Sequence, residues 1–261
     1  MKTIVMSDLH GCYEEFKELL VAVNYVSSSD KLVVAGDLVD RGPESLKVVE
    51  WLRSMSMVTG GRVVVTRGNH DEKHVRYAAH AELHRIDSSH VNPVWLSDDK
   101  LKIQHALSPQ DFEWLASLPS YVHLHGNWVV VHAGFEPGIP LEHQVADQMT
   151  HTRYLHPQTL RSVKMITRDN EFRPPAKSVF WTEAYDLPWN VIYGHMVHSL
   201  KMPKITRCPN GTVCYGIDTG ACFGGALTAL VFDDQEPETL PRIVQVQAKR
   251  TYGKLYHWKE T

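Results

Sequence analysis

Three apolar runs in the first third of the chain each end in the same kind of chemistry. Thr3–Met6 runs into Ser7-Asp8-Leu9-His10-Gly11, Lys31–Ala35 into Gly36-Asp37-Leu38-Val39-Asp40-Arg41-Gly42, and Arg62–Thr66 into Gly68-Asn69-His70-Asp71. Between them, Tyr13–Val23 carries Phe16, Leu19, Leu20 and Val23 at helical spacing. The stretch from Pro43 to about Met57 reads as a second helix, with Pro43 suited to its first turn. A third helix is expected after Asp71. Strand–helix–strand–helix–strand at this spacing predicts parallel βαβ units with helices on the faces of the sheet. In such a sheet, ligands bind outside the carboxyl ends of the strands. That is where the Asp, His and Asn residues collect, nearly all beside a glycine that lets the backbone turn sharply.

Two later strands repeat the pattern. Trp128–Val131 leads into His132-Ala133-Gly134, and Val191–Tyr193 into Gly194-His195. Tyr121–Leu124, Gly211–Tyr215, Leu227–Phe232 and Ile243–Val246 read as further strands. Pro109–Leu118 reads as a short helix with Ser108 as its N-cap. The expectation is an α/β chain forming one domain over 1–261, with insertions at about 81–108 and 136–188. The second is too long for a structureless loop and should hold short helices or a cap.

Five strand ends bearing carboxylates, imidazoles and one amide, without a cysteine, form a donor set for hard or borderline divalent metals. It is large enough for two ions about 3.5–4 Å apart sharing a carboxylate. Sixteen histidines are the one unusual count in the composition. The net charge of −3 leaves no electrostatic footprint for nucleic acid or an acidic membrane surface. No run approaches the ~20 apolar residues of a membrane span, and Asp8 interrupts the start too early for a signal peptide. Cys12, Cys208, Cys214 and Cys222 show no CxxC pair, which fits reduced thiols and a cytoplasmic setting, although Cys208 and Cys214 are placed to pair. His74, His80, His84, His90 and His105 are read as solvated helix-face residues, and His198 has no assigned role. Trp181, Tyr185 and Trp189 are expected to pack the second insertion onto the domain, with base stacking as the alternative.

The ordered set SDLHG, GDLVDRG, RGNHD, HAG and GH resembles the calcineurin-like metallophosphoesterases, and more narrowly their phosphoprotein phosphatase branch. That branch includes lambda-type serine/threonine phosphatases, symmetrical diadenosine tetraphosphatases and polynucleotide end phosphatases. The late elements Ile217-Asp218-Thr219-Gly220 and Leu227-Thr228-Ala229-Leu230 are similar to those with which its members close. The resemblance spans about Met1 to Phe232. It implies a central β-sandwich of mixed sheets flanked by helices, with the metal site at strand C-terminal ends. It further implies that Asp8 and His10 hold one metal, that Asp37 bridges, and that Asn69, His132 and His195 complete the other. His70 would be the general acid oriented by Asp40, and Arg41 would bind phosphate oxygens, with Arg153 as the second phosphate-binding arginine.

Two divalent ions, manganese first, with iron, zinc or mixed pairs as alternatives, lower the pKa of a bridging water so that hydroxide exists near neutral pH. A planar guanidinium then takes phosphate oxygens bidentately, and a histidine held by a carboxylate protonates the leaving group. No nucleophilic Ser or Cys is required. The substrate clues conflict. Asp71 stands where protein phosphatases usually have glutamate and favours the symmetrical dinucleoside tetraphosphatases. Asp40 is typical of protein phosphatases and is given more weight, so phosphorylated protein is the first expected substrate and a small phosphorylated molecule the alternative. A polynucleotide end phosphatase is disfavoured by the negative charge, and a metal-binding scaffold without catalysis by the complete ligand set.

Overall fold

The structure, a computed structural model, describes residues 1–168, 171–236 and 239–254. In chain order the first part runs β1 (Lys2–Met6), α1 (Tyr13–Ala22), β2 (Lys31–Val34), α2 (Ser45–Val58), β3 (Val63–Val65), α3 (Asn69–Ile86), α4 (Asp98–Ala106), α5 (Pro109–Ser117), β4 (Tyr121–His123) and β5 (Trp128–Val131). It continues with α6 (Ala146–His151), β6 (Tyr154–Leu155), β7 (Ser162–Val163), β8 (Ile166–Arg168), β9 (Glu171–Arg173) and β10 (Val179–Phe180). The last part is β11 (Asn190–Tyr193), β12 (Lys204–Arg207), β13 (Val213–Gly216), β14 (Ala226–Asp233) and β15 (Arg242–Gln247). None of the described helices is long and apolar enough to cross a membrane.

Two five-stranded mixed sheets carry the core. The first has the order β15-β14-β1-β2-β3, with β1, β2 and β3 parallel, and the second β12-β13-β11-β5-β4, with β5, β11 and β13 parallel. Side chains alternate along each strand. Ile4, Met6, Leu32 and Val34 therefore face α1 and α2, where they meet Phe16, Leu19, Val48, Val49 and Leu52. Val5, Val33 and Leu230 face the other way, onto Trp128, Val130 and Ile192 of the second sheet. The helices thus cover one face of the first sheet only, and its other face is closed by a second sheet. The outer face of that second sheet, with Val129, Val131, Val191 and Tyr193, is covered by Phe135 and by Trp181 and Tyr185 from the 136–188 segment.

Several boundaries differ from expectation for identifiable reasons. Helix α2 begins at Ser45 after Glu44, so Pro43 lies before the first turn. Helix α3 begins at Asn69, ahead of Asp71, because Asp71 caps it by accepting the Gly68 N–H. The 81–108 stretch is helical at both ends, and β12 is a strand whose mixed sequence Lys-Ile-Thr-Arg gave no apolar run. The 136–188 segment holds short strands as well as short helices and runs through 169–170, outside the described residues. Trp181 and Tyr185 are fully buried in the packing role.

The interface between the sheets is a close-packed apolar layer, so a void there is felt directly. Leu230→Ala should lower the unfolding free energy by about 2–5 kcal/mol in urea titration. Leu83→Ala, at a position 46% exposed on α3, should stay within about 0.5 kcal/mol of the parent.

Candidate metal centre

The parallel arrangement brings the loops after β1, β2 and β3 to one rim, where they meet the loops after β5 and β11. Backbone bonds fasten them together: the Asp8 N–H donates to Gly36, His10 to Asp37 and Gly11 to Leu38. The two sheets are joined by side chains. His132 Nδ1–H donates to the Ala35 carbonyl at 2.7 Å, and the Asp8 carboxylate accepts the His195 N–H at 3.0 and 3.1 Å. Gly194 makes the second joint feasible, because a Cβ there would overlap the Asp8 carboxylate. The backbone at the rim is unusual. Asp8, His10, Asp37, Asp40, Arg41 and His195 all have positive φ, from 40° to 73°. Non-glycine residues rarely adopt that region unless the surroundings enforce it.

Asp37 sits at the middle. One oxygen accepts the His70 N–H at 2.9 Å, an amide in the first turn of α3, where a helix favours negative charge. His10 Nδ1–H donates to the Val39 carbonyl at 2.8 Å, which turns Nε2 toward Asp37 at 3.4 Å. With Nδ1 of His132 committed to Ala35, its Nε2 is a lone pair. Around that nitrogen lie Asn69 Oδ1 at 3.0 Å, His195 Nδ1 at 3.1 Å and Asp37 Oδ1 at 3.4 Å. These are all atoms able to offer electron pairs, and one cation would satisfy them together. His195 Nε2 is buried with no partner among the described residues. Two groupings with ligand atoms within 4.8 Å of one another, His10–Asp37–His70 and Asp37–His132–His195, share Asp37. The residues present therefore fit two divalent ions. Asp8 lines the same cavity, turned toward the His195 amide.

The electrostatics agree. Burial, then Asp218 and Asp37, raises the Asp8 pKa well above the usual carboxylate range. Burial and Asp37 push Asp71 up to about 8, and burial lifts Asp218 to about 6. Burial pushes Asp37 up as well, but His132, His70 and His10 outweigh it and hold it below the usual range. Burial lowers the pKa of His10, His132 and His195, which favours the neutral imidazole that a metal requires.

Beside this centre His70 Nδ1–H donates to Asp40 at 2.6 Å, while its Nε2 accepts from Arg41 at 3.3 Å. Asp40 also takes His74 Nε2–H at 2.9 Å and Lys100 Nζ at 2.5 Å. These bonds overcome the effect of burial and hold Asp40 ionised far below the usual range. His74 is thus fully buried and bonded, not solvated as its sequence position suggested. Its spacing of four from His70 on one helix was a usable signal. Lys100, in a weakly patterned stretch, gave none. Arg153 reaches His195, its Nη2 at 3.4 Å from the carbonyl, and burial brings its pKa down to about 10. A cavity of about 270 Å³ over the centre is lined by Asp8, Asp37, Arg41, His70, Arg153 and Asp218 among others. Asp218 and Phe223, whose ring lies 4.7 Å from the Arg41 guanidinium, were not assigned from the sequence.

Four further histidines make local contacts outside the centre. His80 Nδ1 lies 2.9 Å from His90 Nε2, and His84 bonds the His90 carbonyl. His198 meets the Tyr193 hydroxyl at 3.2 Å, and burial pushes it down to about 3. Cys208 and Cys214 approach to 3.2 Å as free thiols.

Gly194→Ala tests the construction of the centre without removing a ligand. The variant should keep its circular dichroism spectrum yet bind fewer than two equivalents of Mn²⁺, measured by elemental analysis after desalting, because Asp8 is displaced.

Comparison with known proteins agrees with this geometry. Residues 1–219 match the calcineurin-like phosphoesterase family. A symmetrical bis(5'-nucleosyl)-tetraphosphatase of Yersinia pestis (strain Pestoides F) is 31% identical over 278 aligned residues, covering 90% of this chain and 90% of its own. The protein of that name from Serratia proteamaculans is 30% identical, over 92% and 94%. Among solved structures, a candidate diadenosine tetraphosphatase superposes with a TM-score of 0.72 at 25% identity, covering 95% of this chain and 93% of its own. A serine/threonine phosphatase from Saccharomyces cerevisiae shares the fold, with a TM-score of 0.57 at 16% identity, over 98% of this chain and 81% of its own. The chain belongs to the calcineurin-like phosphoesterases and is a phosphoester hydrolase of a family that works with divalent metal ions.

Proposed function

We propose that the protein cleaves dinucleoside tetraphosphates symmetrically, adding water across the central anhydride and releasing two nucleoside diphosphates. The observation that carries this is the end-to-end likeness to proteins named for that reaction, about nine-tenths of both chains at 31% identity. It displaces phosphorylated protein, the substrate favoured from the sequence because of Asp40. Asp40 and Asp71 do not line the cavity over the centre. One holds His70, and the other takes backbone N–H groups of Leu38 and Gly68. Neither side chain is placed to sense which phosphate compound enters.

Asp8, His10 and Asp37 would hold one ion, and Asp37, Asn69, His132 and His195 the other. Manganese suits these donors, as do iron, zinc or mixed pairs. When bound, such ions supply Lewis acidity and a water of lowered pKa. The chain's own groups do the rest. Arg41 and Arg153 present planar forks to the non-bridging phosphate oxygens. When Arg41 turns to phosphate it frees His70 Nε2, the atom that delivers a proton to the departing oxygen. Asp40, fixed by His74 and Lys100, keeps the His70 ring in place and stabilises its charged form. The four free thiols suit a reducing, cytoplasmic compartment.

Two measurements check this reading. With Mn²⁺ present, kcat/KM for diadenosine tetraphosphate should exceed that for a phosphoserine peptide by at least about tenfold, a factor equal to about 1.4 kcal/mol of transition-state binding, with ADP as the sole nucleotide product. A faster peptide, or ATP plus AMP as products, overturns it. His70→Ala should lower kcat about 10²- to 10⁴-fold with little change in KM.

A further inference from the structure

A second cavity, of about 450 Å³, opens beside the metal centre and shares Asn69 with the first. Its walls include Lys73 and Arg76 of α3, Trp95 and His151. His151 also marks the junction, its ring 6.4 Å from that of His195. Trp95 is 74% exposed, the one exposed tryptophan among the described residues. Exposure there is not the consequence of a loose loop. The Asn92 side chain donates to the Tyr77 carbonyl at 3.0 Å and accepts the Val94 N–H at 2.9 Å, and Leu96 is buried. The chain is tied down on both sides of an indole that is left facing solvent, with Lys73 Nζ 5.9 Å from its ring centre.

The cations are equally uncommitted. Among the described residues neither Lys73 nor Arg76 forms an ion pair, the Asp40 carboxylate acting on Lys73 only from a distance. The carboxylate of the cavity, Glu72, lies 3.2 Å from the Thr150 hydroxyl, which donates to it. The first cavity, besides its aspartates and histidines, also holds two cations, Arg41 and Arg153, and a ring, Phe223, beside Arg41. A cation pair with an aromatic ring therefore occurs in the cavity over the candidate metal ligands and again in the cavity beside them. A substrate cut at its centre needs that arrangement: each half carries a base and two phosphates, and the halves must leave the scissile bond in opposite directions.

We propose that Lys73, Arg76 and Trp95 form a nucleoside diphosphate subsite, in which the indole stacks on the base and the two cations take the phosphates of the half-substrate beyond the cleaved bond. Trp95 and the cations are specificity residues, not catalytic ones. The inference rests on the dinucleotide reading, and the experiment separates the two.

Metal-loaded protein is assayed with diadenosine tetraphosphate, with p-nitrophenyl phosphate, which is too small to span both cavities, and for binding of ADP by calorimetry. Trp95→Ala should raise KM for the dinucleotide roughly tenfold to a hundredfold, the range expected for loss of a base-stacking surface, with kcat and p-nitrophenyl phosphate turnover within about twofold of the parent by this reasoning. Trp95→Phe should recover most of the loss, and Lys73→Gln with Arg76→Gln should weaken ADP binding in a salt-dependent way. If the parent protein fails to cleave the dinucleotide, the reaction assignment falls; the subsite still stands if ADP binding depends on Trp95. If Trp95→Ala and the double cation variant leave both dinucleotide kcat/KM and ADP affinity unchanged, or if ADP does not bind the parent protein, the subsite is wrong.

Discussion

The structure depends on Asp37 and on the charge gathered around it. A buried carboxylate is costly unless opposite charge or hydrogen bonds meet it. Here the N-terminal turn of α3 supplies one amide N–H, while the Nε2 lone pairs of His10 and His132 face the carboxylate at 3.4 Å, so a shared cation is what would offset the rest of its charge. Three more carboxyl groups, Asp8, Asp71 and Asp218, are buried close enough to feel it, and each is raised by burial and by that proximity. Such a cluster is stable as a group when cations share the space. The positive-φ backbone at Asp8, His10, Asp37, Asp40, Arg41 and His195 is the strain that this convergence requires. It persists because two packed sheets leave the loops no room to relax.

The sandwich explains why ligands from distant parts of the chain meet. In a sheet covered by helices on both sides, the loops after β1, β2 and β3 would form a row along one edge. Covering one face with a second sheet instead brings the loops after β5 and β11 opposite that row. His132 and His195 then face Asp37 and Asn69. The apolar layer of Val5, Val33, Val130, Ile192 and Leu230 sets the spacing. Small residues admit the closest approach, as Gly194 does for Asp8 and Gly134 does for the Trp181 indole.

Beside the candidate centre runs a chain of hydrogen bonds. Lys100 and His74 fix Asp40, Asp40 fixes His70, and His70 meets Arg41. With His70 as the proposed proton donor, any phosphate compound whose departing oxygen needs a proton would be served by such a chain, so it carries little information about substrate. On the proposed reading, discrimination falls to what surrounds the centre: the aromatic and cationic groups of the two adjoining cavities.

By itself the sequence determined the parallel βαβ start and the five strand ends at which the candidate donors stand, because period-two and helical spacings and the Gly-flanked Asp-x-His and Gly-Asn-His motifs are local patterns. A resemblance that spans most of the chain also singled out Arg41 and Arg153, which the fold brings to one cavity with those candidate donors. Tertiary structure alone decided the rest. That α1 and α2 cover one face, that His74 is buried against Asp40 and that Lys100 joins the acid network all follow from contacts between segments far apart in the chain, which no local spacing encodes. The same is true of Asp71. Its identity looked like a clue to substrate, yet its carboxylate is spent on backbone amides of Leu38 and Gly68. A residue type shows what bond it can make, and only the fold shows which partner stands within reach.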